Sequence, residues 1–170
     1  MHLPLLAALR KFGQKKLPTS LKLFHGSREN SPSTDYVNRT LNGTRKWLSQ
    51  SAEYAVSYAF TDSGDLGDRL LWVCELTQEV EALEGRQASL ISVSPWGDMF
   101  PWEFPNAFGI YANAVFGTEG PKVLLDHRQD ELYKEVLLTM PQAALQVIEI
   151  VKLPEDKSAA EYLARYRFGC

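Results

Sequence analysis

Leu132–Tyr133–Lys134–Glu135–Val136–Leu137–Leu138 is a compact apolar run with one carboxylate set inside it. As a strand it places Tyr133, Glu135 and Leu137 on one face and Lys134, Val136 and Leu138 on the other. A glutamate among aliphatic neighbours is costly to bury unless it is paired or used; otherwise Glu135 lies on an edge strand facing water. Downstream, Pro141–Ala144 reads as a turn and Leu145–Leu153 alternates as a last strand. A charged helix over Asp156–Arg167 follows. Upstream, Asp126–Glu131 reads as a turn and Val123–Leu125 as a short strand. Leu70–Leu76 (LLWVCEL) is a buried strand by length and content.

Further out the pattern changes. Leu21–His25 reads as a strand stopped by Gly26, and Ser31–Gly43 as a loop with at most a short helix. Lys46–Ser49 is a short strand. Ser51 is the N-cap of a helix over Ala52–Phe60, with Ala55, Tyr58 and Ala59 on its apolar face. Thr61–Asp68 is a turn without the spacing of a calcium loop, and residues 80–94 fit more than one state. Leu3, Leu6, Leu9 and Phe12 recur at three-residue steps among basic residues. They predict a short amphipathic helix ended by Gly13 and Pro18. That helix either caps the core or docks a partner or an anionic surface. From Pro95 to Phe116 the aromatics Trp96, Phe100, Trp102, Phe104, Phe108, Tyr111 and Phe116 stand among prolines, glycines and asparagines. So irregular a segment predicts a local mini-core or a binding surface. Strands clustered late, without βαβ alternation, predict an α+β fold with a mainly antiparallel or mixed sheet. No G-x-G-x-x-G and no P-loop is present.

Composition narrows the classes. At 170 residues with 45% hydrophobic and 23% charged content, the chain has the make-up of one globular domain. A net charge of −3 gives no global footprint for nucleic acid, although a local basic patch would serve. Cys74, in an apolar run, and Cys170, the last residue, are too few for a zinc site, and they fit a reducing compartment. His2 and His127 read as surface residues. The apolar Met1–Leu9 precedes its positive charges, the reverse of a secretory signal. No run approaches the ~18 apolar residues of a membrane span. A cytoplasmic protein without membrane association is expected.

Two stretches far apart in the chain carry a resemblance. Leu23–Phe24–His25–Gly26–Ser27–Arg28 resembles the first NAD-binding motif of the poly(ADP-ribose) polymerase/diphtheria-toxin-like (His-Tyr-Glu) branch of the ADP-ribosyltransferases. LYKEVLLTMPQAALQVIEIVKL (132–153) resembles that branch's last two strands. Between them, Trp47–Leu48–Ser49, then Ala55, then Tyr58 falls where the branch has Tyr-Phe-Ala, a small residue and Tyr. The three blocks cover about a third of the chain, in the family's order. The resemblance implies a split antiparallel/mixed β-sheet core with flanking helices, in a minimal bacterial or phage form. Residues 1–20 would be an N-terminal helix or cap and 21–170 the catalytic domain, with 89–125 as an aromatic-rich insertion; within it Ser89–Phe116, which has no counterpart in the family, would be the place for target recognition.

The implied activity is that of an NAD-dependent mono-ADP-ribosyltransferase, with NAD as co-substrate and no metal. Glu135 and His25 would be catalytic; His25, Gly26, Ser27, Trp47, Ser51 and Tyr58 would bind NAD. These residue types suit the chemistry. Breaking the nicotinamide–ribose bond develops positive charge on the sugar, as in glycoside transfer. A carboxylate at Glu135 stabilises that charge and can hold a ribose hydroxyl. Trp47 and Tyr58 offer flat rings for stacking, and Gly26 lets backbone approach the carboxamide. His25 and Ser27 supply hydrogen-bonding groups for the adenine-side ribose.

Each of these residues also has a plain structural role: a satisfied histidine, or a core tyrosine or tryptophan. The sequence departs from the branch as well. Trp47 replaces its usual tyrosine, and Thr44–Arg45–Lys46 replaces the glycines before it. Ser49–Gln50–Ser51 resembles the Ser-Thr-Ser of the arginine-specific toxins, but their Glu-x-Glu is Tyr133–Lys134–Glu135 here, which argues against arginine as acceptor. The acceptor would be a macromolecule, protein or nucleic acid, as for a toxin or effector delivered into a target cytoplasm, with an antitoxin or immunity protein as partner. Competing readings are a non-catalytic NAD-, ADP-ribose- or protein-binding module, or ADP-ribosylation of a small molecule such as an antibiotic. RNA 2′-phosphotransfer would want more arginines than Arg28 and Arg45 at the motifs.

Overall fold

The computed structural model describes residues 3–29, 33–61, 67–85, 103–126 and 132–169. The fold is α+β, with two sheets enclosing a core and helices on both outer faces. The strands are β1 (Gly13–Leu17), β2 (Lys22–Glu29), β3 (Arg45–Leu48), β4 (Asp68–Leu76), β5 (Val80–Gly85), β6 (Lys122–Asp126), β7 (Val136–Thr139) and β8 (Leu145–Lys152). The helices are α1 (Leu3–Leu9), α2 (Thr34–Asn38), α3 (Ala52–Val56, continued as a 3₁₀ turn to Phe60), α4 (Glu103–Phe116), α5 (Pro141–Ala144) and α6 (Lys157–Phe168).

One sheet has five strands in the order β1-β5-β6-β7-β3, antiparallel except for the parallel β5–β6 pair. The other is the antiparallel β2-β4-β8. Alternation along each strand sorts side chains into three packed groups. Leu23, Leu48, Trp72, Cys74, Val123, Leu125, Val136 and Leu138 fill the space between the sheets. Leu124 and Leu137 face the other way, against Leu5 and Leu9 of α1 and Phe108 and Tyr111 of α4. Phe24, Leu71 and Val73 cover the outer face of the smaller sheet, under Ala52 and Ala55 of α3 and Ala160 and Ala164 of α6.

Several expectations hold. β3, β4 and β8 lie where the apolar runs placed them, and Ser51 caps α3, its hydroxyl accepting the Tyr54 N–H at 3.2 Å. Asp156 caps α6 in the same way, from the Ala159 N–H at 3.2 Å. Others are corrected. The N-terminal helix ends at Leu9, and Gly13–Leu17 is a strand paired with β5, so this segment belongs to the larger sheet. Leu3 is exposed, and Leu5 joins Leu6 and Leu9 inside. β2 runs through Gly26 rather than stopping there.

Within the segment read as irregular, residues 103–116 form a regular helix whose Phe108 and Tyr111 are core. Pro105 is tolerated because it sits in the first turn, where an N–H has no helical partner. Trp96, Phe100 and Trp102 lie outside the described residues, as do His2, His127, Cys170 and the Asp126–Glu131 turn beyond its first residue. Pro141–Ala144 is one helical turn. β7 begins at Val136, one residue after Glu135, so the expected strand over 132–138 is only half formed. Among the described residues no helix is long and apolar enough to cross a membrane.

Candidate functional site

The edge strands β2 and β3 belong to different sheets and meet at one point. Phe24 donates its N–H to the Ser49 carbonyl at 2.7 Å and accepts the Ser49 N–H at 2.8 Å. No ladder continues from there: one step on, where Gly26 would face Trp47, the Trp47 carbonyl accepts instead from Nδ1 of His25 at 2.7 Å. Because Phe24 turns both its backbone groups away from β4, the alternation of an antiparallel ladder turns those of Gly26 the same way. The N–H and C=O of Gly26 therefore face the line along which the sheets part.

A carbonyl only accepts, so the bond to Trp47 puts the His25 proton on Nδ1 and leaves Nε2 as an acceptor in the neutral ring. Loss of solvation lowers the His25 pKa from 6.5 to about 4, against the opposing pull of the Trp47 carbonyl. The ring is therefore neutral near pH 7.

Gly26 is buried, and its missing side chain is required by packing. A Cβ there would lie 2.0 Å from the carbonyl oxygen of Ala55 and 3.1 Å from the Ala59 nitrogen. Ser27 accepts a hydrogen bond from the indole N–H of the buried Trp72 at 2.9 Å, which ties it to the core. Ser51 is buried as the α3 cap, and its own N–H donates to Ser49 Oγ at 3.0 Å.

Glu135 is half-buried at the mouth of β7. Its carbonyl accepts the Asp126 N–H at 3.2 Å, extending the β6–β7 ladder by one pair. Opposed residues share a face, so Asp126 and Glu135 stand side by side and line a narrow pocket with Trp47, Leu124 and Gly85. Tyr54, in α3, donates its phenolic O–H to Glu135 Oε1 at 2.9 Å. Tyr58, one turn on, packs edge-on against Tyr54 with ring centres 5.7 Å apart.

The approach to Glu135 is held twice. Gln50 donates its N–H to the Tyr133 carbonyl and accepts the Tyr133 N–H on Oε1, both at 2.9 Å. The Tyr133 hydroxyl donates to Glu84 and accepts from Lys15 at 3.0 Å. That bond to Tyr133, with Glu84 nearby, raises the Lys15 pKa.

The structure thus joins His25 to Trp47 by a hydrogen bond, Trp47 to Glu135 across a pocket, and Glu135 to Tyr58 through Tyr54. Ser27 and Ser51 instead direct their hydroxyl oxygens to structural donors. Sequence reasoning missed Tyr54, Gln50 and Asp126. The four-residue spacing of Tyr54 and Tyr58 on one helix was readable; their partner, 81 positions away in the case of Tyr54, was not.

Chemically, the arrangement offers the backbone groups of Gly26 outside the β2–β4 ladder, aromatic rings, a neutral imidazole and two neighbouring carboxylates. Among the described residues no group of three or more His, Cys, Asp or Glu could hold a metal ion. Compared with known proteins, the chain matches no family model and no curated sequence.

Proposed function

We propose that the protein is a mono-ADP-ribosyltransferase that releases nicotinamide from NAD and transfers ADP-ribose to a macromolecular acceptor, protein or nucleic acid. The observation that carries this reading is the chain of contacts linking three separate stretches: His25 to the Trp47 carbonyl, Trp47 with Glu135 at one narrow pocket, and Glu135 to Tyr54. The single bridge at Phe24–Ser49 between two otherwise distinct sheets supports the split core that the resemblance implies.

The fit to NAD rests on the chain's own groups. The Gly26 N–H and C=O match the acceptor and donor of a carboxamide. Trp47 and Tyr58 can flank a flat ring, and Nε2 of His25 can accept from a ribose hydroxyl. Glu135 supplies the anion that stabilises positive charge developing on the sugar. The substrate contributes a glycosidic C–N bond whose electron pair leaves with neutral nicotinamide, while the acceptor's nucleophile bonds to the same carbon. Asp126, beside Glu135, can take the proton that this nucleophile loses.

The test is incubation of the wild-type protein and Glu135→Ala with labelled NAD and a cell lysate, followed by protease or nuclease. Label removed by protease identifies a protein acceptor, and label removed by nuclease a nucleic acid. Both should vanish with Glu135→Ala. Neither label nor nicotinamide release from the wild-type protein would leave a binding module as the better reading.

A further inference from the structure

We propose that Tyr54 is a positioning residue for Glu135, engaging one carboxylate oxygen so that the other is left to face the sugar. The inference rests on the reading of Glu135 given above and adds to it a residue that no sequence motif marks.

Glu135 needs such a partner. It precedes β7, so its conformation is not set by strand pairing on both sides. A carboxylate with free rotation about its side-chain bonds spends little time in any one geometry, and misplacement by about 1 Å can cost a hundredfold in rate. A phenol O–H to a carboxylate is a charge-assisted bond, about twice as strong as a neutral one.

Tyr54 is itself held on every side. Its N–H donates to the Ser51 cap at 3.2 Å, and its carbonyl accepts from Ser57 Oγ at 2.6 Å. Its ring stands at 88° to that of Tyr58. The neighbouring Glu53 accepts two bonds from Arg165 of α6, at 2.6 and 3.2 Å, which fasten α3 to the last helix. The phenol thus projects from a rigid platform onto a carboxylate that its own strand leaves loose. Gln50 belongs to the same device: it precedes the cap and grips Tyr133, two residues before Glu135, through both backbone groups. The β3–α3 turn therefore sets Glu135 from the backbone side, through Gln50, and α3 sets it from the side-chain tip, through Tyr54.

The test compares wild type, Tyr54→Phe, Glu135→Asp and the double variant by nicotinamide release at varied NAD, with thermal melts of all four. Tyr54→Phe keeps the ring and removes only the donor. It should lower kcat about tenfold or more, with KM within about twofold. In Glu135→Asp, whose shorter carboxylate is withdrawn from the phenol, the same deletion should cost much less. An unchanged kcat, or equal losses in both backgrounds, overturns the proposal. A wild-type protein that releases no nicotinamide overturns the NAD reading instead. The four melts then decide on Tyr54: non-additive midpoints sustain its hold on Glu135, and additive ones overturn it.

Discussion

Nδ1 of His25 donates to the carbonyl of Trp47 at 2.7 Å, a side-chain bond that joins the edge strands of two different sheets. It stands where a backbone ladder would otherwise have zipped the sheets together. It also fixes the neutral tautomer, with consequences for stability in acid.

With a folded pKa of about 4 against 6.5 unfolded, His25 gives stability that is fully present above about pH 6.5. Below that, the unfolded chain binds a proton that the folded chain refuses. Up to about 3 kcal/mol is then lost progressively as pH falls to about 4. Urea midpoints measured across this range should fall more steeply for wild type than for His25→Gln. Parallel curves would remove His25 as the cause.

Gly26→Ala should be strongly destabilising. The new methyl would sit 2.0 Å from the Ala55 carbonyl, which is backbone and cannot swing aside. Overpacking of this kind costs about 1–3 kcal/mol or more, because α3 has to lift from β2. Chemical denaturation checks the magnitude, and nicotinamide release should fall with it, since α3 carries Tyr54 and Tyr58.

Ser27→Ala separates two roles. The fully buried Trp72 would lose the acceptor for its indole N–H, at a cost of about 1–3 kcal/mol. If the Ser27 hydroxyl acts only on the core, NAD affinity measured by calorimetry below the melting range will be unchanged. A large loss of affinity would give Ser27 a direct ligand contact as well.

Cys74 should be inert in the native state. It is a free, buried thiol, and burial pushes its pKa up to about 12, so almost no thiolate exists near pH 7. In a Cys170→Ser background a thiol reagent should report no reactive group until denaturant is added. Prompt reaction in buffer would mean that the space between the sheets opens readily.

Legibility followed the range of the interaction responsible. Ser51 was readable as a cap because a cap bonds to an N–H three residues on; Asp156, read as the first residue of its helix, caps it in the same way. β4 was readable because its apolar content is itself the reason it is buried, and β8 because apolar and polar residues alternate along it. β1 was not: Gly13–Leu17 has only Leu17 buried, and it is a strand because β5 offers it a ladder. Glu103–Phe116 looked irregular because its Pro105 and Gly109 argue locally against a helix. Packing against α1 and the sheet outweighs them, with Gly109 placed 3.3 Å, measured from an added Cβ, from a methyl of Thr139.

At the candidate site the same division holds. The sequence alone determined that a carboxylate stands in an apolar run, that a histidine lies on another strand, and that a capped helix carries Tyr58. Each follows from a few neighbouring residues and their periodicity. Only the tertiary structure decided that β2 and β3 meet at Phe24–Ser49 and then part, that Ser27 answers to Trp72, and that Tyr54 reaches Glu135. Those contacts join residues 25 to 81 positions apart, and no local pattern can encode a partner that only chain folding brings within hydrogen-bonding distance.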